Sequence, residues 1–258
     1  MKSLPLWKIR REAMRLWYQI KLFGIRSLGL KSSMMYAGLE IPLYREGMSA
    51  EVVMGIATGL YEKPEIDGLS RVLRPGDRVL ELGAGLGVIT AISSRIVGPK
   101  GAIMAYEANP KLLEDTKAFL LKHGVKNVEL RGSVLVPQAA EGETREFHVS
   151  RVFAVSSLVV HAGSTRHKTI SVKAQTANDV IADFAPDVLI CDIEGGEAEL
   201  IPAIDASRMR AVVIEMHPKR VSAEGLANVR QALEEQGLKQ DPTPLGGTVE
   251  LFVRSEPA

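Results

Sequence analysis

An apolar strand that runs directly into a glycine loop constrains this chain more than any other feature. The stretch reads Val79-Leu80-Glu81-Leu82-Gly83-Ala84-Gly85-Leu86-Gly87, and a helix-like segment follows from Val88 to Val97. Glycine lets a backbone turn tightly and approach a ligand closely. Three glycines fall at i, i+2 and i+4 after an acidic residue. A dinucleotide-binding turn reads G-x-G-x-x-G instead, and its last glycine packs the helix on the strand with a pyrophosphate over the helix N-terminus. Val88 stands where that last glycine falls.

The residues some twenty positions on narrow the ligand. Ala102-Ile103-Met104-Ala105-Tyr106 reads as a second strand, and Glu107 ends it. A carboxylate at that place accepts hydrogen bonds from both hydroxyls of a ribose. Taken alone, Glu107 is a solvated strand end. Coming one helix after the glycine loop, it favours a bound nucleoside. Asn109-Pro110 then starts another helix, with proline suited to the first turn. The spacing E-x-G-x-G-x-G together with Glu107 points to S-adenosyl-L-methionine rather than NAD.

The rest of the chain alternates strand and helix, the pattern of a parallel sheet with right-handed crossovers. Strands are expected near 78–83, 102–107, 127–131, 187–191 and 211–216, with helices near 87–97, 110–123, 177–184 and 223–236. Gly246-Gly247 precedes a final strand at 248–253, expected antiparallel at or near the sheet edge. Residues 144–174 break the pattern. Short strands at 146–149 and 169–172, with Ser156-Ser157 and Gly163-Ser164 between them, suggest an inserted hairpin or small sheet. Residues 29–47 look irregular, and Ser49 to Leu60 forms a helix capped by Ser49.

Charge divides the chain unevenly. Residues 1–31 hold eight basic residues against Glu12 alone, a net +7 in a chain whose total is +1, so the remainder carries −6. Ile9, Ala13, Leu16, Trp17, Ile20 and Phe23 recur at helical spacing, with Lys8, Arg11, Arg15 and Gln19 on the other side. Ser3 and Pro5 start this basic amphipathic helix, which lacks the apolar run of a signal peptide or a membrane span. Three readings compete for it: packing on its own chain as a lid, pairing in a homo-oligomer, or peripheral contact with an anionic membrane. Packing is the plainer one. Residues 1–48 are thus an N-terminal helical extension and 49–258 one catalytic domain. The overall charge gives no call for nucleic acid. The single cysteine, Cys191, excludes an intramolecular disulfide and a cysteine-rich zinc site, and a reducing cytoplasm is the expected compartment, with or without a peripheral membrane association.

Four segments resemble one family. They are Gly59-Leu60-Tyr61-Glu62, the loop Glu81 to Gly87, Asp192-Ile193-Glu194-Gly195-Gly196-Glu197, and Ile214-Glu215-Met216-His217-Pro218. Over roughly residues 45–254 the chain resembles FkbM-type S-adenosylmethionine-dependent methyltransferases of class I. The resemblance implies a Rossmann-like α/β fold. Its seven-stranded, mostly parallel sheet would have helices on both faces and a β insertion before the fourth strand. It also implies methyl transfer to oxygen, often on a sugar or secondary metabolite. The family's usual loop resembles D-x-G-A-N-x-G, and Glu81 and Gly85 stand at its Asp and Asn positions.

Ligands of parallel α/β sheets sit beyond the carboxyl ends of the strands. Gly83, Ala84, Gly85 and Gly87 would pass beneath the methionine part of the donor, and the Glu81 neighbourhood would meet its ammonium. Glu107, with Ala108 beside it, would hold the ribose. Ser133 and Val134 would border the adenine. By resemblance, Tyr61 and Glu62 would cap the methionine end, although packing suits Tyr61 nearly as well. Asp192 joins the donor-binding set. Transfer to a neutral hydroxyl needs a base. His217 is the preferred one because it follows a strand and titrates near neutrality. Asp192 is the runner-up, as base or orienter. Glu197 suits a helix N-terminus. A magnesium site on Asp192 and Glu194 is weighed, and metal-free transfer is preferred. His148, His161 and His167 read as surface residues. The leading function is O-methylation of a small-molecule hydroxyl. The alternatives are a nucleic-acid or protein methyltransferase, or a noncatalytic nucleoside-binding or membrane-associated partner protein.

Overall fold

The computed structural model describes residues 6–43, 48–150 and 167–255. Ser3 and Pro5, and Ser156-Ser157, His161 and Gly163-Ser164 of the expected insertion, lie outside the described residues. By compactness the chain divides into Met1–Lys63 and Pro64–Ala258. Residues 49–63, expected with the larger domain, therefore fall in the smaller unit.

In the N-terminal unit, helix α1 (Leu6–Ser27) is followed by a hairpin of β1 (Ser33–Tyr36) and β2 (Leu39–Pro42) and by helix α2 (Ala50–Thr58). The hairpin corrects the expectation of an irregular stretch over residues 29–47. Its turn is Ala37-Gly38, both with positive φ, as a two-residue turn between right-twisted strands requires. Alanine there hides the usual Asn-Gly signal. Helix α2 begins as expected, with the Ser49 side chain accepting from the Val52 N–H, and Gly59 closes it in the left-handed conformation.

The larger unit opens with α3 (Lys63–Val72) and β3 (Arg78–Leu82), then α4 (Val88–Val97), β4 (Ala102–Tyr106), α5 (Pro110–Lys122) and β5 (Val128–Arg131). A small sheet follows from β6 (Ser133–Val136), β7 (Thr144–Ser150) and β8 (His167–Thr176). After α6 (Ala177–Phe184) come β9 (Val188–Cys191), α7 (Glu197–Leu200), β10 (Ala211–Glu215), α8 (Ala223–Glu235), β11 (Leu238–Gln240) and β12 (Val249–Arg254).

Strand order in the main sheet is β11-β12-β10-β9-β3-β4-β5, with β10 through β5 parallel and β12 antiparallel to both neighbours. The four residues of β9 are all buried, as are the last four of β3 and of β4. Short apolar strands buried on both faces are the mark of a parallel sheet covered by helices. Alternate residues serve opposite faces. Leu80, Leu189 and Val212 pack with Val180 of α6 and Leu226 and Val229 of α8. Val79, Ile190 and Val213 pack with Leu69 of α3 and Ile89 of α4. This is the expected class I methyltransferase architecture, a mostly parallel seven-stranded sheet with helices on both faces. The final strand lies one position inside the edge, which β11 forms. The β insertion is the three-stranded sheet β6-β8-β7, with its own core of Val134, Val136, Phe147, Val172 and Ala174.

The chain leaves β3 toward β4 and β5 on one side, then returns to β9 beside β3 and continues to β10. The loops after β3 and β9 therefore part at a topological switch point, where α/β sheets bind ligands. Among the described residues no helix is long and apolar enough to cross a membrane.

Gly83 pins that junction. Its φ is +92°, and a Cβ there would lie 1.9 Å from the Asp192 carbonyl oxygen. Gly85 also has positive φ, +51°, but only the Gly83 carbonyl oxygen, at 3.9 Å, lies near its missing Cβ. Gly83→Ala is therefore expected to destabilise by about 3 kcal/mol or more. Gly85→Asn should cost no more than about 1 kcal/mol, because Asn tolerates the left-handed region. Urea unfolding midpoints of the two variants check this ordering.

Candidate functional site

Glu81 is the one acidic residue of β3, and it is buried. Its Oε1 accepts from the Thr90 hydroxyl of α4 at 3.0 Å, and its Oε2 has no partner. Burial pushes this carboxyl up to about 8, with the Thr90 hydrogen bond opposing and the Glu107 charge adding to it. Beyond it, the Gly83 and Ala84 N–H groups both donate to the Tyr106 carbonyl, at 3.0 and 2.9 Å. Ala84 itself packs in the core beneath α4. Gly87 precedes α4 with φ +79°, and a Cβ on it would meet Thr116 Cγ2 at 2.7 Å. Of the loop glycines, Gly85 is the one beside open space. Its left-handed φ suits Gly and Asn alike, which accounts for either residue at this family position.

Glu107 is also buried, and its carboxylate ties the loop to the end of β4. Oε2 accepts from the Gly85 N–H at 2.9 Å and Oε1 from the Asn109 N–H at 2.7 Å. Burial pushes Glu107 up to about 7 against both hydrogen bonds. Each oxygen keeps a further lone pair. Ala108 is half-buried against the small-sheet core. Ser133 is buried and donates to Gln175 Oε1 at 3.1 Å, and Val134 belongs to the small-sheet core. The residues present fit a cationic nucleoside donor: an orphaned buried carboxylate oxygen at Glu81, open space at Gly85, and spare acceptors on Glu107.

A second group follows β9 and β10. His217 Nδ1 lies 2.9 Å from Oε1 of Glu197, whose side chain is fully buried. The other oxygen of Glu197 accepts from the Gly195 N–H at 2.8 Å. His217 Nε2 faces Glu194 Oε2 at 3.2 Å, Asp192 Oδ1 at 3.5 Å and Glu215 Oε2 at 3.7 Å. Arg220 holds Glu194 at both its carboxylate, 2.6 Å, and its carbonyl, 3.0 Å. Glu194 takes φ +55°, a strained setting of the kind found at functional sites.

Electrostatics follow from that crowding. Burial pulls His217 down, but the Glu197 hydrogen bond and the charges of Glu197, Glu194 and Glu215 outweigh it and raise the imidazole above its usual value. Burial pushes Glu194 up to about 7 against the pull of His217 and Arg220. Glu65 of α3 also rises to about 7, from burial first and then the Glu215 charge. One ligand atom each from Asp192, Glu194 and His217 lie within 4.8 Å of one another, so these three could hold a metal ion. The sequence offers Asp192 and Glu194 for magnesium, and the geometry adds His217, with Glu197 behind it as carboxylate support.

Five of the expected residues, Gly83, Gly85, Glu107, Asp192 and His217, thus lie in succession. Gly85 bonds Glu107, Gly83 abuts Asp192, and Asp192 faces His217. Tyr61 and Glu62 belong to the N-terminal unit. There the Tyr61 N–H donates to the Gly55 carbonyl, and its own carbonyl accepts from the Tyr36 hydroxyl. Glu62 takes φ +48°. Glu197 does more than its expected place at a helix start. Helix α7 has only four residues, and the carboxylate turns to Gly195 and His217 instead. Glu65, Glu215 and Arg220 join the site without a sequence signal that assigns them a role. The place of Glu215 is legible, since it stands two residues before His217 on the same side of an extended chain. His148, expected at the surface, is half-buried, and its Nδ1 lies 3.2 Å from the Thr169 hydroxyl. The side chain of His167 lies outside the described residues.

Comparison with known proteins gives the family. The Methyltransferase FkbM domain matches residues 81–239. Protein-L-isoaspartate O-methyltransferase 2 of Archaeoglobus fulgidus is 34% identical over 85 residues, 33% of this chain and 37% of that protein. Ribosomal protein L11 methyltransferase of Thermus thermophilus is 36% identical over 101 residues, 38% of this chain and 37% of that protein. The matched region thus spans little more than a third of each of these relatives. The crystal structure of precorrin-6y C5,15-methyltransferase from Geobacter metallireducens is similar, with a TM-score of 0.44, 19% identity, and coverage of 70% of this chain and 73% of that one. The chain belongs to the FkbM family of S-adenosylmethionine-dependent methyltransferases.

Proposed function

We propose that this chain transfers the methyl group of S-adenosyl-L-methionine to a hydroxyl oxygen of a small molecule, a sugar or secondary metabolite. The observation that carries this reading is His217, backed at Nδ1 by the buried Glu197 and presenting Nε2 beside Asp192. When bound, the donor supplies a methyl group on positively charged sulfur, already activated for displacement. The spare lone pairs of Glu107 accept its ribose hydroxyls. Glu81 balances its positive charge, and the loop from Gly83 through Ala84 and Gly85 to Gly87 runs beneath its methionine part. Ser133 and Val134, with Ala108, border the base.

A neutral hydroxyl is a poor nucleophile, so its proton must have somewhere to go. With the Nδ1 proton donated to Glu197, the Nε2 lone pair of neutral His217 takes it. Glu197 fixes the tautomer and stabilises the imidazolium that forms, as in other carboxylate-backed histidine bases. Asp192 orients the acceptor. The carboxylates of Glu65, Asp192, Glu194 and Glu215 repel a polyphosphate backbone, which favours a small acceptor over nucleic acid. A second reading, transfer to a protein side chain, is favoured by the isoaspartate and ribosomal-protein methyltransferases among the relatives.

Incubation with methyl-labelled donor and a cell extract separates these readings. O-methylation of a small molecule places label in the low-mass fraction, stable to mild base. Label confined to protein and released by mild base would instead indicate esterified carboxyls and contradict the proposal. His217→Ala is expected to lower turnover about 10²- to 10⁴-fold while donor affinity in a calorimetric titration stays within about twofold. Turnover of the natural chain should rise as pH passes the raised His217 value, and the residual rate of the variant should not follow that step.

Glu81 and Glu107, at about 8 and about 7 against a usual 4.5, hold protons in the native state that the unfolded chain has already released. Stability without donor therefore falls as pH rises from about 5 to about 8. Thermal melts across that range should show the decline, and Glu81→Gln should make it shallower.

A further inference from the structure

Helix α1 packs in the N-terminal unit through one side only. Leu22 and Ile25 are buried, and Tyr18 between them is half-buried. Arg26 donates to the Met48 carbonyl at 2.6 Å, and Arg15 pairs with Glu51 of α2 at 2.7 Å. The opposite side is the more apolar one and is bare. Leu16, Ile20 and Phe23 stand at i, i+4 and i+7 with 57%, 64% and 73% of their surface exposed, and Trp17 beside them with 54%. Leu28 and Leu30, just past the helix end, are 72% and 51% exposed. An amphipathic helix ordinarily buries its apolar stripe in its own core. This one turns its stripe outward, and a contiguous apolar patch of that kind marks an interaction surface.

Charge decides the occupant. Basic Arg10 and Lys21 flank the stripe on one side, and Lys8, Arg15 and Arg26 on the other, all exposed. The ammonium of Lys21 lies 5.0 Å from the Trp17 ring. Aromatic rings with lysine beside them suit the boundary between lipid and water. A second copy seated face to face would set one segment of net charge +7 against another, and like charge across an interface opposes pairing. A bilayer of anionic lipid offers both an apolar layer for the stripe and negative headgroups for its flanks.

We propose that α1 docks this protein on an anionic membrane surface, lying in the plane of the interface with Leu16, Trp17, Ile20 and Phe23 immersed. At 22 residues the helix is about 33 Å long, enough to lie along the surface as an anchor. The interaction is independent of the acceptor chemistry and stands whether or not the proposed reaction is correct.

Flotation of the full chain with vesicles tests it. Vesicles of phosphatidylcholine alone are compared with vesicles that include phosphatidylglycerol. The chain should float with the anionic vesicles at least roughly tenfold more than with the neutral ones, and raising salt to about 0.5 M should reduce that fraction. Ile20→Glu with Phe23→Glu should abolish flotation while thermal melting stays unchanged, since both side chains are exposed. Absence of flotation at low salt overturns the proposal. So does a doubly substituted chain that floats like the natural one. A chain that sediments as a dimer and binds no vesicle overturns it as well and assigns the stripe to self-association.

Discussion

The structure depends on the meeting of three strand ends. The backbone of Gly83 lies against the Asp192 carbonyl, and its N–H and that of Ala84 bond the Tyr106 carbonyl. One missing Cβ lets β3, β4 and β9 end at the same level with their loops in contact. Glu107, Asp192 and His217 then follow by adjacency. Glu107 comes next after Tyr106 and catches Gly85, Asp192 ends β9, and β10 delivers His217 beside it. A glycine loop of this kind is therefore first a piece of sheet architecture. Only at Gly85 does it leave space for a ligand.

That junction gathers acids where burial makes them costly. An unpaired carboxylate in a low-dielectric setting gains a proton or seeks a cation. Glu81 and Glu107 lie on the loop side, and Glu65 and Glu194 on the His217 side, all four raised above their usual range. A site so arranged is poised for a positively charged partner. The two groups differ in kind. The loop side is fixed by backbone N–H groups bonded to Glu107. The other side is a network of side chains in which Arg220 and His217 offset the acids around them.

Much of this was legible from the chain. The glycine loop, Glu107, Asp192 and His217 follow short apolar strands, and strand ends in a parallel sheet share one edge. What escaped had local signals that pointed elsewhere. Helix α3 contains Pro64 and Gly68, residue types that ordinarily interrupt a helix. Pro64 occupies the first turn, where its missing N–H costs nothing, and Gly68 lies where a Cβ would come within 3.2 Å of Val213 Cγ1. The β1–β2 hairpin turns on Ala37-Gly38, where alanine stands in place of the residue that ordinarily announces such a turn. The partnership of Glu197 with His217 spans twenty residues and depends on β9 and β10 lying side by side, which no local pattern encodes. The outward apolar face of α1 was equally hidden. Periodicity identifies a stripe but not which way it faces.

The central claim is that the junction of β3, β4 and β9 binds S-adenosyl-L-methionine through Glu107. Calorimetric titration of the full chain with S-adenosyl-L-methionine and with NAD, before and after Glu107→Ala, tests it most directly. One donor per chain, no heat with NAD, and a loss of at least about tenfold in donor affinity on substitution are predicted, as expected for hydrogen bonds to a charged group. Binding of NAD without S-adenosyl-L-methionine, or donor affinity indifferent to the loss of Glu107, would contradict the account.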